Sequence, residues 1–264
     1  MIKMFVKILL LSLLMSWGIP GVQGQEVILY GDDEYPPYSY VENGIQKGIY
    51  SDILRKLDEQ LPGYQLTLKA LPWKRGLRML QRGQIAFLYP PYKRPKERPY
   101  MDYSLPILHE QLALFCRKDT LLTSDSHFPE DFKGLSVGES LGFSMGNKIY
   151  KARDLGLIML SSAKGTLANL ERLLSNNLDC YVNDRLSILY ELNLLKERGV
   201  YNGNEIVETI PLSSEYGYLG VTKKGDNFPY LSDFLKTFNA EIKRFKDKGE
   251  IEKIVNSYMK NIKR

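Results

Sequence analysis

The chain has 264 residues, 44% hydrophobic and 25% charged, with a formal net charge of +5. This balance excludes a disordered chain and a strongly basic nucleic-acid binder, and it allows one large domain or two small ones with a sizeable core. Two cysteines and two histidines exclude a disulfide-framed scaffold and give no metal-ligand rhythm.

Residues 1–24, MIKMFVKILLLSLLMSWGIPGVQG, carry Lys3 and Lys7, no acid, and an apolar run from Ile8 to Trp17. Val22 and Gly24 stand at the small-residue positions of a cut before Gln25. The run is short for a membrane span, and Gly18, Pro20 and Gly21 follow it. The pattern predicts a cleaved secretory signal over 1–24. Loss of Lys3 and Lys7 leaves a net +3, from +5 less two lysines.

Glu26–Tyr30 reads as a short strand. Ile49, Ile53, Leu54 and Leu57 recur at helical spacing and predict a helix over Tyr50–Gln60, stopped by Pro62 and Gly63. Tyr64–Leu71 alternates as a strand. Arg75–Gln81 predicts a short helix ended by Gly83, and Ile85–Tyr89 a buried strand. This strand–helix alternation is the rhythm of a parallel sheet. A second unit follows, with strands at Leu112–Cys116, Leu135–Val137, Leu157–Leu160 and Asp179–Val182. Its helices are Thr166–Ser175, opened by a threonine cap, and Arg185–Leu195. A last strand and turn lie in YGYLGVTKKGDNFP (Tyr216–Pro229), before helices at Leu231–Phe245 and Ile251–Ile262. Two α/β lobes side by side imply a cleft between them, where ligands prefer to bind. Cys116 and Cys180 both fall in apolar strand-like runs, which suits either one bridge or two buried thiols.

Catalytic motifs are missing. There is no G-x-S-x-G elbow and no phosphate loop ending in Gly-Lys-Ser/Thr. GESLGFSMG (Gly138–Gly146) has the wrong spacing for a dinucleotide fingerprint, although its glycines suit a helix start facing an anion. Trp73 and Arg75 follow a predicted strand, the place where open α/β sheets put ligands. YPPY occurs twice, at Tyr35–Tyr38 and Tyr89–Tyr92.

Five segments, in order, carry a resemblance. YPPYSYVENGIQKGIYSDIL, LQRGQIAFLYPPYKRPKERPYMDYSLPI, FKGLSVG, LERLLSNNLDCYVNDRLSILY, and GYLGVTKKGD with FLKTFNAEIKRFKDKGEIEKIVNSYM resemble the blocks of the bacterial extracytoplasmic solute-binding proteins of family 3. These are the polar amino-acid-binding components of ABC importers. The resemblance implies an α/β, two-lobed periplasmic-binding-protein-like fold of type II, each lobe a mostly parallel sheet flanked by helices. It puts residues 25–110 and 212–264 in one lobe and 111–211 in the other, with crossings near 108–112 and 208–216.

Roles follow from the same resemblance. Tyr35 matches the aromatic that stacks on the ligand and Tyr38 one that lines the floor, while Asp32 can meet the ligand's polar end. Arg98 matches the arginine that grips an α-carboxylate, a task suited to its planar fork, with Arg94 as its rival. Asp184 matches the acid that takes the α-ammonium. Gly142, Phe143 and Ser144 lie where the second lobe meets the carboxylate. Ala86 and Pro95 depart from the family's Asp and Thr. Tyr89, Pro90, Pro91 and Tyr92 replace small hydroxyl residues and glycine, and prolines donate no backbone hydrogen bond. With Trp73, Tyr89 and Tyr92 added, the expected site is aromatic.

The implied function is capture of a small polar or zwitterionic solute, an amino acid or an aromatic-containing derivative. The chain would be a periplasmic monomer that hands its solute to the membrane permease of an ABC importer. No catalysis, cofactor, metal or nucleic acid is implied. A sensory or partner-binding module without transport is the alternative, and an enzyme on the same fold a more distant one.

Overall fold

The computed structural model describes residues 24–262; the predicted leader, residues 1–24, lies outside the described residues except for Gly24. Two five-stranded sheets build the molecule, and each is headed by parallel strands. In the first, β1 (Gln25–Asp32) runs between β5 (Tyr64–Leu71) and β6 (Phe87–Tyr89), parallel to both. β13 (Gly220–Thr222) then adds antiparallel to β6, and β7 (Met101–Tyr103) closes the edge. In the second, β9 (Ser136–Ser140) lies between β10 (Met159–Ala163) and β11 (Cys180–Asp184), all parallel. β8 (Leu108–Arg117) and β12 (Ile206–Gly217) complete that sheet, each antiparallel to its neighbour. A small hairpin sheet of β2 (Glu34–Tyr35), β3 (Ser39–Glu42) and β4 (Ile45–Lys47) sits beside β1.

Helices cover the sheets because their apolar residues fall on one stripe. α1 (Ile49–Asp58) buries Ile49, Ile53, Leu54 and Leu57 and α6 (Leu231–Asp247) buries Phe234, Phe238, Ile242 and Phe245. These meet Leu29 and Phe87 in one core cluster. A fully buried side chain of this size contributes about 1.5–3 kcal/mol. α2 (Trp73–Arg82) follows β5, and α7 (Glu250–Ile262) lies over α1, where Tyr258 donates to Asp52 at 2.5 Å. In the second lobe α3 (Asn147–Asp154), α4 (Gly165–Leu174) and α5 (Arg185–Glu197) do the same work. Thr166 is not the cap of α4. It lies inside the helix, its hydroxyl 3.0 Å from Ser187 Oγ, and Gly165, at φ +70°, turns the chain into the helix instead.

β8 and β12 carry the chain between lobes. Their register runs from Leu108 opposite Gly217 to Arg117 opposite Ile206. β12 is an edge strand with shifts at Glu208/Ile210 and Pro211/Ser213, where a proline costs no ladder bond on the open side. Cys116 and Cys180 are register partners on β8 and β11 and form a disulfide. No helix among the described residues is long and apolar enough to cross a membrane.

Candidate functional site

A cavity lies between the lobes, beyond the C-terminal ends of the parallel strands, as open α/β sheets dictate. Asp32 ends β1, Tyr35 follows in β2, Trp73 opens α2 after β5, and Pro90 and Tyr92 follow β6. Arg98 comes from the turn before β7. Phe143 and Ser144 come from the loop after β9, on the other lobe. The walls leave about 20 Å³ for the centre of a water-sized sphere, room for roughly one water.

A carboxyl group and a guanidinium sit in this apolar wall. Asp32 is 2% exposed. Its Oδ1 accepts from the Glu34 amide at 3.1 Å, while Oδ2 has no partner among the described residues. Burial first, with Asp33 and Glu34 adding, holds its carboxyl well above the usual range. Arg98 is 6% exposed and forms no ion pair among the described residues. Its guanidinium stands 5.7 Å over the Trp73 ring and reaches the Gly142 carbonyl at 3.5 Å. Burial pulls its pKa down, the sign of a cation short of counter-charge.

Aromatic rings fill the rest. Phe143 meets Tyr35 edge-on with centroids 5.0 Å apart, and Trp73 at 5.9 Å. Several bonds span the lobes besides: Trp73 Nε1 to Gly142 O at 3.2 Å, Ser144 Oγ to Glu97 at 2.6 Å, and Ser187 Oγ to Pro36 O at 2.6 Å. Lys164 and Glu34 pair at the cleft's far side.

Behind the cavity lies a residue the sequence reading passed over. Glu110, 2% exposed, accepts from Tyr35 at 2.6 Å, from Tyr92 at 2.8 Å and from Tyr50. Burial, and then Asp184, push its carboxyl up to about 8. The signal was available in LHEQLA, where strand alternation places Glu110 on the face of Leu108 and Leu112.

The family model for the bacterial extracellular solute-binding proteins, family 3, matches residues 27–261. The chain belongs to that family. No curated protein sequence matches it. Solved structures share its fold at low identity. A histidine kinase sensor domain with similarity to periplasmic binding proteins has a TM-score of 0.73 at 19% identity, covering 89% of this chain and 96% of that one. The amino acid ABC transporter substrate-binding protein AbpA from Streptococcus pneumoniae, bound to L-arginine, has 0.71 at 17%, covering 90% and 95%. The ancestral amino acid-binding protein AncCDT-1, a precursor of cyclohexadienyl dehydratase, has 0.70 at 19%, covering 88% and 94%. The fold is type II periplasmic-binding-protein-like, α/β and two-lobed.

Within that family frame, Asp32, Tyr35, Trp73, Tyr92, Arg98, Phe143 and Ser144 come together on one cavity. Arg94 does not join them; it donates to Ser144 at 3.2 Å and pairs with Glu215. Three expected residues are displaced. Tyr89 is fully buried in the first lobe, its hydroxyl 3.3 Å from Ser51, because the last residue of β6 points into the core and the cavity begins at Pro90. Tyr38 lies one layer back, its ring tilted 35° to that of Tyr35 with centroids 4.9 Å apart, and near Tyr50. Asp184 caps α5: Oδ1 accepts from Leu186 and Ser187, and Oδ2 from Gln111. Three backbone amides thus hold its carboxyl at the helix start, and it does not line this cavity.

Proposed function

We propose that the chain captures a small zwitterionic solute between its lobes, with Arg98 taking a carboxylate and Asp32 an ammonium group. The observation that carries this reading is the pair itself: a buried guanidinium and a buried carboxyl group on one cavity, neither with an ionic partner among the described residues. A buried guanidinium without counter-charge is costly; a solute carboxylate supplies that counter-charge, and a solute ammonium favours ionisation of Asp32. In this reading Asp32, which lines the cavity, takes the role the resemblance gave to Asp184, which is held by backbone amides off the cavity wall. Tyr35, Trp73, Tyr92 and Phe143 provide stacking surface for an aromatic or aliphatic side chain.

The walls are too close for an amino acid, so capture requires the lobes to part. We place the bend in β8 and β12, near 108–112 and 208–216, with 25–110 and 212–264 moving against 111–211. Solute that bridges Arg98 to the second lobe shifts an open population toward the closed one. Delivery to the permease of an ABC importer, by a monomer in the periplasm, is the role we assign, without catalysis. A sensory role is the second reading, favoured by the fold shared with a histidine kinase sensor domain.

Calorimetric titration of the protein with each of the twenty L-amino acids tests the reading. It predicts at least one binder, lost in Arg98→Ala and weakened in Asp32→Asn. Undiminished binding in Arg98→Ala contradicts it.

A further inference from the structure

The tyrosines that face the cavity are tied to a carboxylate outside it. Tyr35 and Tyr92 line the cavity, their hydroxyls 3.1 Å apart, and both donate to Oε2 of Glu110. Tyr50, from α1, donates to Oε1. Glu110 belongs to β8, a strand that crosses between lobes, opposite Glu215 of β12. A Cβ on Gly217 would stand 1.8 Å from the Tyr50 hydroxyl and 2.7 Å from Glu110 Oε1. The bare backbone at 217 is therefore a condition for the cluster. The titratable groups facing Glu110 are Tyr35 from β2, Tyr50 from α1, Tyr92 after β6, Asp184 at the end of β11, Tyr38 beside Asp184, and Glu215, its register partner on β12. Arg94 pairs with Glu215 and stands 5.7 Å over the Tyr92 ring.

A tyrosine hydroxyl has one proton to donate, and an ionised carboxylate only accepts. While Glu110 is ionised, Tyr35 and Tyr92 must both spend their protons on it, and they offer the cavity lone pairs. Once Glu110 is protonated it donates one bond, and one of the two tyrosines is free to turn its proton into the cavity. The wall then changes from acceptor to mixed donor and acceptor.

We propose that Glu110 is a positioning residue that sets the hydrogen-bonding polarity of the cavity through Tyr35 and Tyr92, so that a solute's ammonium group binds against this wall with release of a proton from Glu110 to solvent. This rests on the reading of the cavity as a zwitterion site. Burial, which raises the Glu110 carboxyl, places the exchange near neutral pH.

Two measurements on the full protein separate the ideas. The first is calorimetry with the twenty L-amino acids singly, in two buffers of different ionisation heat, between pH 5.5 and 8.5. Wild type should release protons on binding and gain affinity with pH, by up to about tenfold per unit if coupling is complete. Glu110→Gln should bind with a smaller proton release and a flatter profile. Asp32 and Asp184 also titrate, so the difference between the two proteins is the reading. A merely structural role would weaken binding equally at every pH, and that result overturns the proposal. The second needs no solute. Infrared titration should show a protonated acid band that Glu110→Gln removes, and that persists to higher pH in Tyr35→Phe and Tyr92→Phe, since each lost donor favours the protonated form. A missing band, or one unmoved by either phenylalanine, overturns the proposal even if no amino acid binds. If the band behaves as described and all twenty fail, the zwitterion reading and the coupling proposed on it fall together, while the tyrosine–Glu110 link stands.

Discussion

Trp73 donates its indole N–H to the Gly142 carbonyl at 3.2 Å, joining the first turn of α2 in one lobe to the loop after β9 in the other. The same carbonyl meets Arg98 at 3.5 Å. One backbone oxygen thus gathers two side chains of the opposite lobe, on the wall of the cavity. Gly142 holds this position at φ +83°, a conformation that side chains disfavour by about 1–2 kcal/mol.

Trp73→Phe keeps the ring and removes the donor. A hydrogen bond of this kind is worth about 0.5–1.5 kcal/mol, so the closed population should fall several-fold relative to the open one. Small-angle scattering should report a larger radius of gyration than for wild type. An unchanged radius would show that the Trp73 bond does not hold the lobes.

The stability of the protein should fall as pH rises from about 5 to 8.5. Glu110 has a folded-state value of about 8 against an ordinary 4.5, and Asp184 about 6 against 3.8. Each folded carboxyl holds its proton more tightly than the unfolded one. The stability this brings is complete below the ordinary values and is lost as pH passes through the raised ones. For Glu110 the loss is up to roughly 4 kcal/mol. Thermal unfolding of Glu110→Gln should depend on pH less steeply than that of wild type.

Gly217→Ala should disturb the tyrosine cluster, because the new methyl meets the Tyr50 hydroxyl at 1.8 Å. Overpacking of this kind costs about 1–3 kcal/mol. Chemical denaturation should show a lower midpoint, and Tyr50→Phe in the same chain should restore part of it by removing the clashing oxygen.

Reduction of Cys116–Cys180, which are 64 residues apart, should lower the melting temperature. Loop-closure entropy sets the ceiling at about 4 kcal/mol. Titration with a strong reductant during thermal unfolding measures it, and Cys116→Ala with Cys180→Ala gives the same quantity independently.

The parallel cores were legible because buried strands and amphipathic helices have plain periods. Tyr64–Leu71 is observed as predicted, and the helix over Leu231–Phe245 extends only to Asp247. β12 was not, since its bulges and Pro211 break the alternation. The two copies of YPPY also diverge in a way that composition hides. Tyr35 and Tyr92 face the cavity, whereas Tyr38 and Tyr89 are turned inward. Spacing along the chain could not distinguish them, because the turn that follows each strand decides which ring points where. Asp184 was legible as a cap, and backbone amides bear that reading out. Glu110 needed only the alternation of β8 to be noticed, but its three tyrosine partners come from segments 18 to 75 residues away.

Capture of a zwitterion by Arg98 is tested by calorimetric titration of wild type and Arg98→Ala with the twenty L-amino acids. Wild type should bind at least one of them and the variant should not, with both proteins melting cooperatively. Equal binding by the two proteins would show that Arg98 does not hold the solute.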